Sequence, residues 1–157
     1  MKKLFLFGFI LFLSGCAGLF NEPNCRLSED EYVAKIAEAQ LAAVLHFENG
    51  KADLKQHELD IIKQVAAGAA RESTAVVVYG HASHRTLTKD PIQRILINLD
   101  ISNERALNVM RALTSAGVAK DKISAIAMFD SRPIKKEITR ADEAANRRAE
   151  IYLYRLK

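Results

Sequence analysis

One stretch of the chain, residues 75–106, combines residue types that could bind an anion. Residues 75–79 are β-branched, aromatic or small and predict a buried strand, which Gly80 ends. After a polar, basic loop, Ser102 has a side chain suited to capping a helix, and Arg105 follows in the predicted first turn. A helix N-terminus offers unpaired N–H groups, and a guanidinium matches a carboxylate in shape and charge. The stretch therefore predicts a carboxylate-binding site.

Two histidines beside a serine raise the alternative of catalysis. His81 and His84 flank Ser83, but no Gly-x-Ser-x-Gly elbow surrounds the serine, and the sequence places no aspartate to orient a histidine. The two histidines also lack a neighbouring glutamate and lie in a predicted loop, which is a poor zinc signature. We therefore expect a binding protein that is not an enzyme and that uses no cofactor and no metal.

Three motifs in a fixed order carry a family resemblance. They are Gly80-His81-Ala82-Ser83, then Asn98-x-x-Ile101-Ser102-x-x-Arg105-Ala106, then Asn146-Arg147-Arg148-Ala149-Glu150-Ile151. Together they resemble the OmpA-like peptidoglycan-binding domain, which is the C-terminal module of OmpA and the body of the Pal lipoproteins. The resemblance covers residues 43–155, most of the chain.

This resemblance implies non-covalent binding to the diaminopimelate of the peptidoglycan stem peptide. Arg105 would pair with a diaminopimelate carboxylate, while Asn98 and nearby backbone N–H groups would hold the remaining polar groups. Arg148 or Arg147 would border the same pocket, although a structural salt bridge is an equal alternative for both. The alternative for Arg105 is an ion pair with an acid of the fold. The expected ligand-binding residues are Arg105, Asn98, Ser83, His81 and Arg148.

The chain departs from the family pattern at Ser83. The family has an aspartate there, and the resemblance implies that its carboxylate holds the ligand's ammonium. Loss of one charge-assisted hydrogen bond costs about 1.5–3 kcal/mol, unless Asp90 or Asp100 takes over. The basic loop that follows is also longer than usual in the family and favours a more acidic ligand. The alternative function is an envelope protein–protein adaptor on the same fold with weak or no peptidoglycan binding.

The N-terminus predicts export and lipidation. Lys2 and Lys3 precede an apolar run over residues 4–13, which is too short to span a bilayer as a permanent helix. Leu13-Ser14-Gly15-Cys16 then resembles a lipobox, which implies cleavage before Cys16, lipidation of that residue and anchoring in the outer membrane with the domain facing the periplasm. Cys25 would be left without an internal disulfide partner. The predicted divisions are a signal peptide at 1–15, a tether and helix at 16–40, and the OmpA-like domain at 41–157.

The charge of the chain argues against nucleic acid as a partner. Formal net charge is +4 for the whole chain and becomes +2 once the two lysines of the signal are removed. Such a mild excess does not indicate a nucleic-acid surface, and the absence of tryptophan weakens the case for base stacking. The expected partners are peptidoglycan, the outer membrane through the lipid, and other envelope proteins.

Hydrophobic periodicity predicts an α+β fold with a βαβαβ order, followed by a last helix and strand. Helices are expected on one face of a small mixed sheet, as in an α/β sandwich. The predicted strands are 41–47, 75–79, 123–128 and 147–155, and the predicted helices are 28–37, 53–69, 102–115 and 141–146. The apolar residues between 92 and 97 are expected to fold back on the body of the domain.

Overall fold

The computed structural model describes residues 36–70 and 74–156. Along the chain these residues form four strands and three α-helices, with a short 3₁₀ turn at Lys120–Lys122 before the third strand. The elements are β1 (Ile36–His46), α1 (Gln56–Ala69), β2 (Thr74–Gly80), α2 (Pro91–Ser115), β3 (Ile123–Ala127), α3 (Arg140–Asn146) and β4 (Arg148–Leu156). The predicted order of strands and helices is confirmed.

The four strands form one mixed sheet in the order β1-β4-β2-β3. The crossover through α2 makes β2 and β3 parallel, whereas β4 runs antiparallel to both of its neighbours. Alternate residues of β2, including Val76 and Val78, are fully buried, and Ile151 of β4 lies opposite Val78. These residues share one core with the apolar sides of α1 and α2, which confirms the α+β class.

The helix α1 shows the predicted apolar stripe. Ile62, Val65, Ala66 and Ala69 recur at helical spacing, and all four are buried in the core. The predicted start at Asp53 is wrong, because the helix begins at Gln56. The carboxylate of Glu58 reaches back and accepts a hydrogen bond of 2.9 Å from the backbone N–H of Lys55, which satisfies a free donor at the helix start.

The helix α2 begins eleven residues before the predicted start at Ser102. Asp90 is its N-cap, and its Oδ1 accepts hydrogen bonds from the backbone N–H groups of Ile92 at 2.8 Å and Gln93 at 3.3 Å. Pro91 occupies the first helical position, where its missing N–H costs nothing. An Asp-Pro pair fits a turn or a local restart of the chain, and here it starts a helix. At the other end Gly117 has a φ of +100°, the left-handed conformation with which a glycine commonly ends a helix.

The prediction that the apolar residues between 92 and 97 fold back on the body is wrong. Ile92, Ile95, Leu96 and Ile97 belong to the first turns of α2, and each is between 43% and 68% exposed.

The strand β1 begins inside the segment that was predicted to be helical. Ile36 and the next residues up to Gln40 pair with β4, so the predicted helix over 28–37 is wrong at its C-terminal end. The division predicted at residue 40 therefore falls within a strand. Pairing along the whole of β4 outweighs the local helical periodicity, since each added residue extends the ladder. The rest of that predicted helix, with Cys16 and Cys25, lies outside the described residues.

Gly80 allows α2 to approach the end of β2 unusually closely. A Cβ atom on Gly80 would lie 2.0 Å from the backbone oxygen of Ser102 and 3.1 Å from the Cβ of Ala106. Both neighbours belong to the middle of a regular helix and cannot move independently of it. The absence of a side chain at position 80 therefore fixes how deeply α2 sits against the sheet.

We expect Gly80→Ala to lower the free energy of unfolding by roughly 3 kcal/mol or more, because its methyl group meets rigid backbone. Urea unfolding of the variant and the wild type measures this difference. Gly68→Ala is the matched control, since the new Cβ would only contact the side chain of Leu153 at 3.8 Å. That variant lies within α1 and should stabilise the protein by about 0.5–1 kcal/mol. Equal effects of both variants would contradict the close-approach argument.

Candidate functional site

The candidate site lies where β2 ends and α2 passes beneath it. The backbone N–H of His81 continues the pairing with β4 by donating to the oxygen of Arg148 at 2.8 Å. The next residue, Ala82, donates to the oxygen of Phe129 in the segment after β3, also at 2.8 Å. The carboxyl ends of two parallel strands and the start of β4 therefore meet at this edge of the sheet. Ligand sites commonly form at such an edge.

Arg105 is the central residue of this edge and is only 1% exposed. Its guanidinium donates three hydrogen bonds to backbone oxygens, to His81 at 2.8 Å, Lys51 at 3.0 Å and Glu48 at 3.2 Å. Its Cζ atom also lies 5.2 Å from the centre of the Phe47 ring, within the range of a cation–π contact. One side chain of α2 therefore holds the end of β2 and the turn that follows β1.

Arg105 is a buried cation without an acidic partner. Within the described residues, no carboxylate lies within 4.0 Å of its guanidinium, so the alternative of an ion pair inside the fold is not what the geometry shows. Burial, and secondarily the nearby charge of Arg147, lower the pKa of Arg105 to about 10. The group stays charged at neutral pH. The carbonyl oxygens offset only part of the free-energy cost of removing this charge from water, since a buried charge is normally paired with an opposite charge.

The predicted helix start at Ser102 is wrong, so no free helix N-terminus contributes to the expected anion site there. Ser102 lies inside α2, where its hydroxyl donates to the oxygen of Leu99 at 2.9 Å and accepts from the backbone N–H of Phe129 at 3.1 Å. The backbone N–H groups around Ser102 are in the helix interior and are not free to bind an anion. Ser102 instead ties α2 to the segment after β3.

Asn98 and Ser83 are both buried at 5% exposure or less. The side-chain nitrogen of Asn98 has no hydrogen-bond partner among the described residues, although it is completely covered. Such an unsatisfied donor costs roughly 1–3 kcal/mol if nothing binds it. Asn98 lies one turn before Ser102 on α2. Its side-chain nitrogen has N–H groups that no described residue accepts, as expected of a residue that binds a ligand.

His81 lies between the two arginines of the predicted site. Its backbone oxygen accepts from Arg105, whereas its ring lies 3.8 Å from a carboxylate oxygen of Glu150. Neither ring nitrogen has a hydrogen-bond partner within the described residues. Burial and the positive charge of Arg148 lower the pKa of His81 to about 4, although Glu150 opposes this effect. The ring is therefore neutral at neutral pH.

Arg148 has the structural role that the sequence left open as an alternative. It is buried, and its Nε donates to Glu150 at 2.6 Å, while a second nitrogen donates to the backbone oxygen of Arg132 at 3.2 Å. Its neighbour Arg147 has a different environment. The Nε of Arg147 donates to the backbone oxygen of Phe47 at 3.3 Å, and its side chain lines an open cleft.

An open cleft lies beside the segments that surround Arg105, and sequence reasoning did not predict it. It has a volume of about 670 Å³ and shares Phe47, Glu48 and Lys51 with the surroundings of Arg105. The carboxylate of Glu48 contacts the ammonium groups of Lys51 and Lys55 at 2.6 Å each. These two lysines lower the pKa of Glu48 to about 2. Residues 48–51 have the composition of a turn, which does not by itself indicate a cleft.

The basic loop after Ser83 is in contact with acids that follow β3. The Nδ1 of His84 lies 2.7 Å from Asp130, which is also paired with Arg94. The carboxylate of Glu137 accepts from the backbone N–H groups of His84 at 2.8 Å and Arg85 at 3.2 Å. Part of the positive charge of the loop is therefore paired, since Arg85 also lies 3.0 Å from Glu143, whereas Lys89 is exposed and takes part in no ion pair within 4.0 Å among the described residues.

Asn146, the first residue of the third sequence motif, is buried and makes four hydrogen bonds. Its side-chain oxygen accepts from the backbone of Ile134 and Lys135, and its nitrogen donates to the oxygen of Lys135 and to Glu137. It therefore fixes the segment that carries Glu137 against α3.

The described residues contain neither a group of three potential metal ligands nor a helix long and apolar enough to cross a membrane.

Sequence comparison identifies the family to which this arrangement corresponds. Residues 46–147 match the OmpA family. Outer membrane porin F of Pseudomonas fluorescens is 31% identical over 119 residues, which cover 75% of this chain and 34% of that protein. The chain therefore spans about a third of the length of this curated relative.

Several solved structures share this fold. The peptidoglycan-associated lipoprotein from Burkholderia pseudomallei matches with a TM-score of 0.62 and 20% identity, covering 73% of this chain and 89% of that one. The cell wall anchor of the T6SS from Pseudomonas aeruginosa gives 0.63 and 18%, covering 80% and 92%. The C-terminal domain of Helicobacter pylori MotB gives 0.60 and 21%, covering 71% and 83%. At these identities the likeness concerns the fold.

The buried ring of His81 predicts a loss of stability in acid. In the unfolded chain His81 binds a proton near pH 6.5, whereas in the folded protein it does so only near pH 4. Above pH 6.5 the ring of His81 is neutral in both the folded and the unfolded state. As the pH decreases from 6.5 to 4, only the unfolded chain takes up the proton, so the free energy of unfolding falls. Compared with His81→Gln, the wild type should lose up to about 3 kcal/mol of unfolding free energy over this range.

Urea unfolding at several pH values measures this loss. His57→Gln, which removes an exposed histidine from α1, is the matched control. If the free energy of unfolding changes equally with pH in the wild type and in His81→Gln between pH 7 and pH 4, the ring of His81 is not buried in the neutral form.

Proposed function

This chain belongs to the OmpA family, and we propose that it binds peptidoglycan non-covalently, with Arg105 as the cation that receives a carboxylate of diaminopimelate. The observation that carries the proposal is that Arg105 is buried without an acidic partner among the described residues. Three of its five N–H groups donate to carbonyls, so two remain for a ligand. The names of two structural neighbours, a peptidoglycan-associated lipoprotein and a cell wall anchor, support association with the cell wall.

The other ligand contacts follow from the same edge of the sheet. Asn98 has a donor without a partner, and Ser83 is buried close along the chain to His81, whose oxygen binds Arg105. We propose these two residues for the polar groups of the ligand around the carboxylate. Arg148 already pairs with Glu150, so we assign it to the support of His81 and not to the ligand.

We also propose that the chain is a lipoprotein of the outer membrane whose domain faces the periplasm. The support is the order of Lys2, Lys3, the apolar run and the Leu-Ser-Gly-Cys motif in the sequence. Lipid on Cys16 would attach the domain to the membrane, since two or more acyl chains give stable anchoring. In this arrangement one molecule links the membrane to the cell wall without catalysing a reaction.

A protein–protein adaptor is the second candidate, because two observations favour it. The guanidinium of Arg105 is already engaged with carbonyls of three segments, which is a structural role in its own right. In addition, Ser83 supplies no charge for an ammonium group. If Arg105 only holds the fold together, the domain should not bind isolated peptidoglycan.

Sedimentation with purified peptidoglycan sacculi tests which candidate is correct, and we expect the wild-type chain to co-sediment. Arg105→Lys should weaken binding by roughly tenfold or more, because an ammonium lacks the planar fork that contacts both the carbonyls and a carboxylate. Arg148→Lys is the matched control, since Arg148 is similarly buried but has its own carboxylate. Unfolding curves establish that each variant is folded. Failure of the wild type to co-sediment would favour the adaptor.

Ser83→Asp, measured in the same series, tests the missing carboxylate. In the free protein a buried carboxylate should lower the free energy of unfolding, because position 83 is covered. A stem peptide with diaminopimelate should then bind roughly tenfold to a hundredfold more tightly and restore stability. A stem peptide with lysine in that position, which lacks the side-chain carboxylate, should bind weakly to both proteins. Weaker diaminopimelate binding by Ser83→Asp would contradict an ammonium contact at this position.

Replacement of Cys16 tests the anchor. We expect Cys16→Ser to move the protein from the membrane fraction to the soluble periplasmic fraction, because the acyl chains would be absent. Cys25→Ser is the matched control and should stay with the membrane. Immunoblots of separated fractions measure both proteins. Retention of Cys16→Ser in the membrane would show a different anchor.

A further inference from the structure

The side chain of Glu137 brings a carboxylate next to Ser83. Glu137 belongs to the segment between β3 and α3, and its Oε1 accepts a hydrogen bond of 2.8 Å from the backbone N–H of His84. Its Oε2 accepts one of 3.2 Å from the backbone N–H of Arg85. Since the nitrogen of His84 is bonded to the carbonyl carbon of Ser83, Oε1 lies within about 6 Å of the Cα of Ser83. The protein therefore has a carboxylate beside a residue that carries no charge itself.

This carboxylate has no cationic partner in the part of the chain that the structure describes. No side-chain nitrogen of lysine, arginine or histidine lies within 4.0 Å of it there. The nearby acids Asp130 and Glu143 differ in this respect, because each contacts an arginine. Glu137 is instead held by neutral N–H donors. The fold thus fixes an anion without an opposite charge, as it fixes the cation of Arg105 without one.

The carboxylate of Glu137 can accept one more hydrogen bond. A carboxylate offers about four acceptor positions, two on each oxygen. Oε1 uses both of its positions, for the backbone N–H of His84 and for the side-chain nitrogen of the buried Asn146 at 2.9 Å. Oε2 uses one, for the backbone N–H of Arg85. Glu137 is partly exposed, as is its contact with Arg85, so a donor from outside can reach this side of the carboxylate.

We propose that Glu137 determines the specificity of the site by receiving an ammonium group of the ligand. This rests on the proposed function, in which Arg105 receives a carboxylate of the same ligand. Arg105 donates to the backbone oxygen of His81, two residues before Ser83, and Glu137 accepts from the two residues after Ser83. The cation and the anion are therefore bound to one short segment, on either side of Ser83. A zwitterionic group, such as the free end of diaminopimelate, offers an opposite charge to both, whereas a group with a carboxylate alone is repelled by Glu137.

The serine at position 83 is consistent with this assignment. An aspartate there would place a second carboxylate close to that of Glu137, and two neighbouring carboxylates at a covered position disfavour each other's charge. A serine hydroxyl avoids this repulsion in the free protein and can still accept a hydrogen bond from an ammonium. Glu137 therefore supplies the negative charge, and Ser83 supplies an uncharged acceptor beside it.

Two stem peptides separate this contact from a merely structural one. Both contain diaminopimelate, and in the second its free amino group is acetylated, which removes the ammonium and keeps the carboxylate. Titration calorimetry with the full chain in detergent should show that the wild type binds the first peptide roughly tenfold or more tightly than the second. In Glu137→Gln this preference should disappear, because the amide has no charge to offer. Glu143→Gln, which removes a nearby acid that is paired with Arg85, is the matched control and should keep the preference.

A preference that Glu137→Gln retains, or that the wild type lacks, would overturn the proposal. In the Glu137→Gln chain, Ser83→Asp should restore the preference, since a carboxylate returns to the same place, and no restoration would contradict an ammonium contact there. Arg105→Lys should weaken both peptides alike, because both carry the carboxylate. If the wild type binds neither peptide, the proposed function fails together with this assignment. If it binds both peptides equally, only the assignment of Glu137 fails.

Discussion

The fold depends on a guanidinium that is removed from water and given carbonyl oxygens in place of a carboxylate. Arg105 reaches from α2 to the backbone of Glu48, Lys51 and His81, which are far apart in the sequence. Without the arginine these oxygens would lose their donor, and without the oxygens the cation would be buried with no hydrogen bonds. Each side of the arrangement is therefore stable only in the presence of the other. The ring of Phe47 lies against the guanidinium, with its centre 5.2 Å from Cζ.

This arrangement requires α2 to lie at one particular depth against the sheet. Gly80 provides that depth, since any side chain there would strike the backbone of Ser102. Ser102 in turn receives the backbone N–H of Phe129 and connects the helix to the segment after β3. Gly80 of the first motif and Ser102 and Arg105 of the second therefore together fix the position of α2 against the sheet.

The sequence was sufficient to predict the helices and strands whose hydrophobic pattern indicates which of their residues are buried. The strand β2 was predicted from its run of β-branched and aromatic residues, and the apolar stripe of α1 from a period of about 3.6 residues. The start of α2 was missed, because Asp90 and Pro91 fit both a turn and a helix start. The residues before Gln40 looked helical, and only their pairing with β4, remote in the sequence, makes them a strand. Local patterns do not contain such long-range information.

For the site, the sequence could indicate residue types but not their partners. Arg105 was recognisable from its motif, yet its partners are backbone oxygens, which every residue possesses and no composition reveals. For Arg148, which the sequence left between a ligand contact and a salt bridge, the 2.6 Å contact with Glu150 is visible only in the structure. The cleft beside Phe47 depends on how the turn after β1 meets the start of β4, so neither segment predicts it alone.

The electrostatics of the loop after Ser83 restrict how a ligand can be held. Two consecutive backbone N–H groups there, of His84 and Arg85, already bind a carboxylate, which is that of Glu137. A ligand carboxylate would have to displace an acid that Asn146 also holds in place. At Arg105 no such competitor exists among the described residues, and the two remaining N–H groups face no internal anion. Of these two places, only the guanidinium of Arg105 is therefore buried without an acid already opposite it among the described residues, so the folded protein bears a desolvation cost there that no internal charge offsets.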